Sequence, residues 1–399
     1  MRVLMINSVC GIRSTGRICT DLALALEKQG HTVKIAYGRE AVPEPFSRFA
    51  VRIGTDFGVK VHGAKARLLD ASGFGSRFAT IRFLDWVRAF DPDVIHLHNV
   101  HGYYIHVGLL FDYLRTCGKR IIWTLHDCWS FTGHAAYCEG AECLRWETGC
   151  KACPKLGEYP KSLTDRSGRN WLKKRRLFRE IPRMELVTPS KWLADLTRRS
   201  FLSDYPVHVI HNGINLDVFH PADSNTVEHL RQRYSFGTDR ILLGVAALWE
   251  DRKGLPDLLT LSERLGVGWR LMIVGLSKDQ MQSLPDRVVG IARTNSPQEL
   301  AALYSLADYY VNPTYEDNYP TTNLEAMACG TPVLTYDTGG SGESARLGGV
   351  VVPRGDIDAL CVAIRRLSSL EALHLPDPAL LDYRTAVKAY LALYDGEAL

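Results

Sequence analysis

Three acidic side chains lie close together in the stretch YEDNYPTTNLEAMACGTP. Glu316 and Asp317 are adjacent, and Glu325 follows one short segment later. Carboxylates can accept hydrogen bonds from the hydroxyl groups of a sugar or a ribose. A structural alternative needs only one acid, because Thr322 and Glu325 have the spacing of a capping box and Gly330 is placed to end the short helix. The two interpretations predict different positions for Glu325, because a side chain that turns back to cap the helix could not also bind a ribose fully.

A pair of positive charges occurs in the stretch VAALWEDRKGL, where Arg252 and Lys253 come directly before a predicted helix. Arginine and lysine side chains in such a place can bind the phosphate groups of a diphosphate. The alternative is a solvated charged turn that has no ligand. These residues alone leave both interpretations open.

Two glycines, Gly11 and Gly16, flank a loop between the first predicted strand and a predicted helix. Backbone N–H groups at the start of a helix can bind phosphate. The loop lacks the GxGxxG pattern of dinucleotide-binding proteins and the GK[ST] of a P-loop. The second strand ends at Gly38 and Arg39, without an acid for the ribose of NAD. The sequence therefore argues against a dehydrogenase.

Histidines are concentrated after two predicted strands, in HLHNVHGYYIH and WTLHDCWSFTGH. Four of them, His98, His101, His126 and His134, could contact sugar hydroxyl groups or move protons. The alternative is that they are structural side chains with satisfied hydrogen bonds, which is the common state of buried polar groups. His126 is the strongest candidate because it follows an apolar strand directly and is adjacent to Asp127.

Four of the ten cysteines, Cys138, Cys143, Cys150 and Cys153, lie close together in the chain. The last two have the CxxC spacing of a zinc knuckle, and the first two are more widely spaced. Structural zinc, reduced structural cysteines and disulfides all fit this pattern. Disulfides are the least favoured, because a chain of this size without an export signal is expected in a reducing compartment.

A basic stretch, RNWLKKRRLFREIPRM, combines seven Lys or Arg residues with Trp171, Leu172, Leu177 and Phe178. A helix of this composition can lie on an anionic membrane surface. The alternative is an ordinary solvated helix face, which this composition by itself slightly favours.

The elements that position these residues belong to a chain of 399 residues, which is longer than one hydrophobic core usually supports. Its 46% hydrophobic and 23% charged residues are typical of a globular protein, and a formal charge of +4 argues neither for nor against a nucleic-acid partner. The first residues are too few and too polar for a signal peptide, and no apolar run reaches the length of about 18 that a membrane span needs. We therefore expect a cytoplasmic protein.

Apolar runs alternate with amphipathic helical patterns, which predicts parallel sheets covered by helices. The first series of strands is RVLMINS, TVKIAYG, DVIHLHN, RIIWTLHD and ELVTPS, and the second is VHVIHN, RILLGVAAL, RLMIVG, DYYVNPT, TPVLTYD and GVVVP. A segment rich in Pro, Asn, Asp and Gly at 204–222 separates the two series. We predict one domain over 1–204, a second over 205–380, and a terminal helix over 381–399 that docks on the first domain.

These motifs together resemble the retaining GT-B glycosyltransferases of glycosyltransferase family 4. The resemblance covers nearly the whole chain and rests on SVCGIRSTGRI, HNGINLDVFHP, the RKG turn and LEAMACGTPVL. TLHDCWSFTGH, CxxCP followed by EYPKS, and TPSKWLADL are similar to a bacterial subgroup from capsule, colanic acid and O-antigen synthesis. The resemblance implies two Rossmann-like, doubly wound domains that face a central cleft, the first binding the acceptor and the second the nucleotide sugar.

The resemblance also implies roles for single residues of the second domain. The family's two glutamates fall on Asp317, which would contact the donor sugar, and on Glu325, which would contact the ribose. Lys253 matches the diphosphate-binding lysine, whereas Leu248 replaces the family's arginine, so Arg252 is expected to compensate. The implied donor-binding residues of this domain are Arg252, Lys253, Glu316, Asp317, Asn318, Tyr319, Pro320, Thr321 and Glu325.

In the first domain, His126 matches the histidine that lies near the donor sugar and the acceptor, and it is implied to be catalytic together with Asp317. Gly11 and Gly16 match the loop that meets the diphosphate. Acceptor binding is expected from His98, His101 and His134.

The implied reaction moves a hexosyl unit from a nucleotide sugar, expected to be linked to uridine, to a saccharide or lipid-linked saccharide. A metal cofactor is not expected, because the cationic pair and the helix-start N–H groups can stabilise the leaving diphosphate. Lipid-linked acceptors also favour a peripheral contact with an anionic membrane over the solvated face. The alternatives are a nucleotide-sugar 2-epimerase on the same fold and a non-catalytic protein that binds nucleotide sugars.

Overall fold

The structure is a computed structural model that describes residues 1–367 and 374–397. Residues 368–373, assigned above to the second domain, and 398–399, assigned to the terminal helix, lie outside the described residues. The named strands of the described part form two sheets in which all paired neighbours are parallel.

The first sheet has seven strands in the order β3-β2-β1-β4-β5-β6-β7, and the second has six in the order β10-β9-β8-β11-β12-β13. The strands of the first sheet are β1 (Arg2–Ile6), β2 (Thr32–Tyr37), β3 (Ala50–Arg52), β4 (Val94–Leu97), β5 (Arg120–Thr124), β6 (Met184–Thr188) and β7 (Val207–Val209). Those of the second are β8 (Arg240–Val245), β9 (Trp269–Val274), β10 (Val288–Ile291), β11 (Tyr309–Asn312), β12 (Val333–Tyr336) and β13 (Gly349–Val352).

Helices connect successive strands and cover the sheets, as parallel pairing requires. The α-helices are α1 (Arg13–Lys28), α2 (Asp56–Leu69), α3 (Arg77–Phe90), α4 (Val107–Thr116), α5 (Arg145–Thr148), α6 (Ser167–Phe178), α7 (Lys191–Arg199), α8 (Ser224–Arg233), α9 (Leu255–Leu265), α10 (Lys278–Gln282), α11 (Pro297–Leu306), α12 (Thr321–Ala328), α13 (Ser341–Ala345), α14 (Ile357–Leu367) and α15 (Tyr383–Asp395).

The sequence pattern explains why these elements form. Every residue of β4 and of β11 is buried, which fits strands that are covered by helices on both faces. In α1, Cys19, Leu22 and Leu26 recur at helical spacing and are buried, so this helix presents one apolar face to the sheet.

Each sheet contains a point at which the order of its strands reverses. β1 lies beside β4 in the first sheet, and β8 lies beside β11 in the second. In doubly wound sheets, ligands bind beyond the carboxyl ends of the strands at such a point. The loops after β1, β4, β8 and β11 are therefore the places where binding residues are expected.

The division of the chain differs from the predicted one. One compact unit comprises 1–211 together with the chain from 387 onward, and the other comprises 212–386. The run VHVIHN, assigned above to the second series of strands, contains β7, which pairs with β6 at the edge of the first sheet. The separation therefore falls after residue 211 and not after 204, because the linker composition begins before the last strand of the first sheet.

The terminal helix α15 begins in the second unit and belongs to the first unit from Val387 onward. Its buried hydroxyl groups bond to the strands of the first sheet. The Tyr394 hydroxyl lies 2.6 Å from Nδ1 of His96, and the Tyr390 hydroxyl lies 3.0 Å from Oγ1 of Thr124. Hydrogen bonds as well as apolar packing therefore hold the helix against the first sheet.

Gly254 precedes α9 and allows the loops after β8 and β11 to approach closely. Its φ is 71°, in the left-handed region. A Cβ atom at this position would lie 2.1 Å from the carbonyl oxygen of Pro313, the residue that follows β11. Glycine is the residue that adopts this φ without strain and has no Cβ to clash with Pro313. It therefore permits the close approach of the two loops.

We predict that Gly254→Ala destabilises the protein by about 2 kcal/mol or more, because a left-handed alanine costs about 1–2 kcal/mol and the Cβ also clashes. Gly30→Ala is the matched control, since Gly30 has a φ of 80° and nothing within 4 Å of the added Cβ. Urea unfolding of both variants measures the difference. Equal losses of stability would show that the contact with Pro313 imposes no constraint.

Candidate functional site

The two charged loops of the second unit meet at the switch between β8 and β11. Arg252 and Lys253 lie in the 3-10 turn Asp251–Lys253 after β8, and Glu316 lies in the loop after β11. The N–H of Tyr315 donates to the carbonyl of Arg252 at 2.7 Å, and the Arg252 guanidinium donates to the carbonyl of Glu316 at 2.9 Å. Residues 64 positions apart in the chain are thereby fixed side by side.

Lys253 and Asp317 form an ion pair between these loops. The lysine Nζ lies 2.5 Å from Oδ2 of Asp317, and both side chains are largely buried. Burial would raise the pKa of Asp317, but the positive charges of Lys253 and Arg252 outweigh it and lower the pKa below its ordinary value. Asp317 is therefore ionised at neutral pH, directly beside a positive charge.

The structure distinguishes the two adjacent acids. Glu316 is 2% exposed, whereas the side chain of Asp317 is 14% exposed and reaches the lysine of the neighbouring loop. Of the two, Asp317 is the more accessible to a ligand.

Leu248, at the position of the family's arginine, is 57% exposed, and the Nε of Arg252 donates to the Glu250 carboxylate at 3.2 Å.

The capping box predicted for Thr322 and Glu325 is wrong. α12 begins at Thr321, its N-cap is Pro320, and no side chain caps it. Thr322 therefore lies inside the helix, because a proline fits well just before its first turn. Gly330, with a φ of 88°, follows the end of the helix as predicted.

Glu325 consequently has a different partner. Its Oε2 accepts a hydrogen bond of 3.1 Å from the hydroxyl of Tyr304 on α11, and the residue is 6% exposed. Burial and the nearby negative charge of Glu325 raise the pKa of Tyr304 well above its ordinary value, so the hydroxyl remains a donor. Sequence reasoning did not identify Tyr304, since nothing in its spacing connects it to the acidic stretch.

The remaining residues of this loop are mostly buried. Asn318 is 4% exposed and Tyr319 is 6% exposed, and the carbonyl of Tyr319 accepts a hydrogen bond of 3.1 Å from the side chain of Asn212. Thr321 forms the first turn of α12 and is half-buried. The loop from Glu316 to Thr321 is thus anchored at both ends.

The glycine loop of the first unit is a tight turn at the start of α1. Gly11 has a φ of 72°, and an added Cβ would lie 2.5 Å from the ring of Phe46. Gly16 lies within the first turns of α1, which already begins at Arg13. The N–H of Gly11 donates to the carbonyl of Gly16 at 3.2 Å, so the two glycines close one compact turn.

His98 and His126 meet beyond the carboxyl ends of β4 and β5. Nδ1 of His98 lies 3.0 Å from Nε2 of His126, and the two rings stack at 5.3 Å. Burial lowers the pKa of His126 to about 4, although the negative charge of Asp127 offsets part of this effect. His126 is therefore a neutral imidazole at pH 7, able to exchange hydrogen bonds and protons.

His101 and Asp127 form a second polar group in the same region. Nε2 of His101 lies 2.9 Å from the Asp127 carboxylate, and Nδ1 lies 3.0 Å from the hydroxyl of Tyr159. Burial would raise the pKa of Asp127, but its contacts with His101 and with the N–H of Trp129 lower it. Tyr159, in the EYPKS motif, was given no role from the sequence, yet it completes this network.

His134 is separate from these two pairs in its bonding. Its Nδ1 lies 2.6 Å from a carboxylate oxygen of the buried Asp70, whose other oxygen accepts from the N–H of Arg166. The structure therefore brings His98, His101 and His126 to the ends of neighbouring strands, whereas His134 is buried and hydrogen-bonded to Asp70, away from the acceptor side that the sequence assigned to it.

The four clustered cysteines and His134 line one cavity of about 20 Å³. All ten cysteines of the chain are free thiols, and burial raises the pKa of Cys150 to about 11. Among residues 1–367 and 374–397, no group of three or more His, Cys, Asp or Glu side chains is arranged to hold a metal ion. Structural zinc stays a prediction, which metal analysis of the untagged protein can decide.

Family models match both halves of the chain. The model described as Glycosyltransferase Family 4 matches residues 15–218, and the model described as Glycosyl transferases group 1 matches residues 239–369. A curated relative from Escherichia coli strain K12, named as a candidate glycosyl transferase of colanic acid biosynthesis, is 26% identical over 349 residues. That match covers 84% of this chain and 82% of the relative, whereas the next curated relatives match over about half of their length.

Solved structures show the same fold. Sucrose-phosphate synthase from Thermosynechococcus elongatus has a TM-score of 0.71 and 17% identity, covering 99% of this chain and 98% of that chain. The Anabaena protein HepE, solved in complex with UDP, has a TM-score of 0.69 and 12% identity, covering 99% of this chain and 100% of that chain. Together with the two parallel sheets, these similarities confirm the predicted GT-B fold.

We predict that the free energy of unfolding decreases as the pH falls from 6.5 towards 4. The pKa of His126 is lowered from 6.5 to about 4, so the unfolded chain binds a proton in this range that the folded protein does not. His126→Gln should reduce this loss by up to about 3 kcal/mol, the limit set by about 1.4 kcal/mol per pKa unit.

Urea unfolding at several pH values measures this effect. The exposed His220 offers a matched control, since His220→Gln should leave the pH dependence as it is in the wild type. An unchanged pH dependence in His126→Gln would show that the folded protein accepts a proton on this imidazole without cost.

Proposed function

This chain is a member of glycosyltransferase family 4, and we propose that it transfers a hexosyl unit from a uridine-linked nucleotide sugar, with retention, to a saccharide or lipid-linked saccharide. The proposed role is in the synthesis of a bacterial surface polysaccharide. The named role of the colanic acid relative supports the pathway, and the binding of UDP and of UDP-glucose by the Anabaena protein supports the donor class.

The observation that carries this proposal is the ion pair of Lys253 and Asp317 at the switch of the second sheet. Transfer from a nucleotide sugar releases a nucleoside diphosphate, whose negative charge grows in the transition state. Lys253, with Arg252 beside it, supplies positive charge where a diphosphate would bind. Asp317, kept ionised by the same two cations, can accept hydrogen bonds from the hydroxyl groups of the sugar.

α12 contributes in two ways. No side chain caps its first turn, so the N–H groups of Thr321 and Thr322 and the positive end of the helix suit a phosphate group. Glu325, held by the hydroxyl of Tyr304, is proposed to bind the ribose. Because these groups and Lys253 can stabilise the diphosphate, we propose that catalysis needs no metal cofactor.

In the first unit, His126 is proposed to act in catalysis as a neutral imidazole. Its bond to His98 orients the ring, and its lowered pKa keeps the ring uncharged, so that it can exchange a hydrogen bond with a sugar hydroxyl. Acceptor binding is proposed for His98 and His101 but not for His134, which is buried against Asp70, and contact with the diphosphate is proposed for the turn of Gly11 and Gly16. With retention, the acceptor attacks the face from which the diphosphate departs, and the leaving phosphate oxygen takes the acceptor's proton.

Nucleotide binding is tested by a thermal-shift panel of nucleoside diphosphates and nucleotide sugars. A ligand at a hundred times its dissociation constant stabilises the folded protein by about 2.7 kcal/mol. We expect uridine nucleotides to give the largest shift. Lys253→Gln should weaken their binding by about tenfold or more, because a hydrogen bond to a charged group contributes about 1.5–3 kcal/mol.

Lys278→Gln is the matched control, because Lys278 is an exposed lysine of the same unit at the start of α10. Product analysis with the best donor then separates the reactions. Formation of a glycoside of retained configuration supports the proposal. An inverted anomer contradicts the retaining mechanism, and conversion of the donor to its 2-epimer without an acceptor contradicts glycosyl transfer.

A further inference from the structure

α2 carries an apolar stripe on its outer side. Phe57 is 77% exposed, Val61 is 53% exposed and Leu68 is 55% exposed, and their spacing places them on one side of the helix. The opposite side is already used, since His62 and Ala66 are buried against the rest of the unit. The outer stripe is therefore additional to the face that holds the helix in place.

A second exposed aromatic side chain lies at the start of α3. Phe78 is 82% exposed, the largest exposed fraction of any aromatic residue in the described part of the chain. The first turn of α3 lies close to the start of α2, because a Cβ added to Gly54 would lie 3.1 Å from that of Ala79. Phe57 and Phe78 thus project from two adjoining helix starts.

The basic helix α6 is not the amphipathic membrane helix that its sequence suggested. Trp171, Leu177 and Phe178 are buried in the core of the first unit, because they pack against the sheet. Only Leu172 of its large apolar residues is well exposed, at 62%. What α6 offers to solvent is mainly positive charge.

Contacts connect α6 to α2. Nζ of Lys65 on α2 donates to the carbonyl of Phe74 at 3.0 Å, and Nζ of Lys173 on α6 lies 3.8 Å from the centre of the Phe74 ring. The N–H of Leu163, a 65% exposed residue just before α6, donates to the carbonyl of Arg67 at 2.7 Å. The exposed apolar residues and the basic residues therefore belong to one continuous surface.

This surface, made of the outer sides of α2, α3 and α6 with the preceding loop at 163–166, is strongly positive. Its three segments, 56–69, 77–90 and 163–179, contain 13 Lys or Arg residues, of which Lys174 is buried, and only three acids. Partial burial lowers the pKa of Lys173, and the positive charges of Arg169 and Lys65 lower it further.

We propose that the α2–α3–α6 surface docks onto an anionic lipid bilayer, with Phe57 and Phe78 inserted among the headgroups and the surrounding lysines and arginines on the lipid phosphates. Aromatic side chains between basic residues are suited to the interface of such a membrane. In the described ranges no helix is long and apolar enough to cross a bilayer.

Charge argues for a membrane over a second copy of this chain. A symmetric dimer through this surface would bring two strongly positive patches together, whereas anionic lipid headgroups neutralise them. The proposed function enters only as the reason for docking, which would bring the enzyme to a lipid-linked acceptor. Docking itself depends on the surface alone.

Co-sedimentation of the full chain tests the proposal, with vesicles of phosphatidylcholine alone or mixed with phosphatidylglycerol. We expect binding only to the mixed vesicles. The double variant F57S/F78S should weaken it by about tenfold or more, because each phenylalanine loses apolar burial. Reversing Lys60, Arg169 and Arg176 to Glu should weaken it further, since each basic residue near such a surface contributes roughly fivefold.

Matched controls lie on the second unit. V267S/V362S removes side chains that are 89% and 65% exposed, and reversing the exposed Lys278, Arg287 and Arg293 to Glu changes the same number of charges. Both controls should bind vesicles like the wild type. Equal binding of F57S/F78S and the wild type overturns the proposal.

Light scattering supplies a further contrary result, because a dimer that F57S/F78S converts to monomers would assign the surface to a second copy. Thermal shifts by uridine nucleotides in the same variants keep this proposal separate from the proposed function. Loss of vesicle binding with unchanged nucleotide binding supports docking. Vesicle binding by a protein that binds no nucleotide supports docking and contradicts only the enzymatic proposal.

Discussion

The pairing of β8 with β11 is the constraint on which the donor-binding residues depend. Parallel strands end at the same edge of a sheet, so their loops converge although long stretches of chain separate them. Gly254 then lets the two loops touch, and the ion pair of Lys253 and Asp317 closes the contact. The first sheet repeats this arrangement at β1 and β4, where the glycine turn and His98 lie. Both groups of proposed functional residues are thus consequences of strand order.

The strands were the most predictable part of the structure, because buried parallel strands form apolar runs that differ clearly from helical patterns. The short β3 and β10 were missed, and β7 was assigned to the wrong sheet. A strand as short as three residues does not indicate which strand it pairs with. The pairing of β7 with β6 depends on contacts between residues that are distant in the chain. The composition of 204–222 indicated a linker, but it could not show whether β7 belongs to the first sheet or to the second.

Positions of functional residues were predictable from loops after strands, whereas their partners were not. Sequence reasoning selected His101 and Asp127 but did not pair them, and it selected Glu325 without Tyr304. Such partners come from different elements, and chain spacing contains no information about them. The capping box failed for a different reason, since a local pattern was overruled by Pro320, which already occupies the N-cap.

Charge shows most clearly why whole-chain properties are poor guides to binding. The formal charge of +4 is mild, although three helical segments of the first unit hold 13 basic residues against three acids, so the remainder of the chain must be net negative. Electrostatic attraction acts over about a Debye length, roughly 8–10 Å at physiological salt, and therefore depends on the local distribution. Burial changes the picture again, because it removes Trp171, Phe178 and Lys174 from the surface and leaves most of the other cations of α6 exposed. The proposed membrane-binding surface is thus assembled from helices none of which, taken alone, has the sequence of a membrane helix.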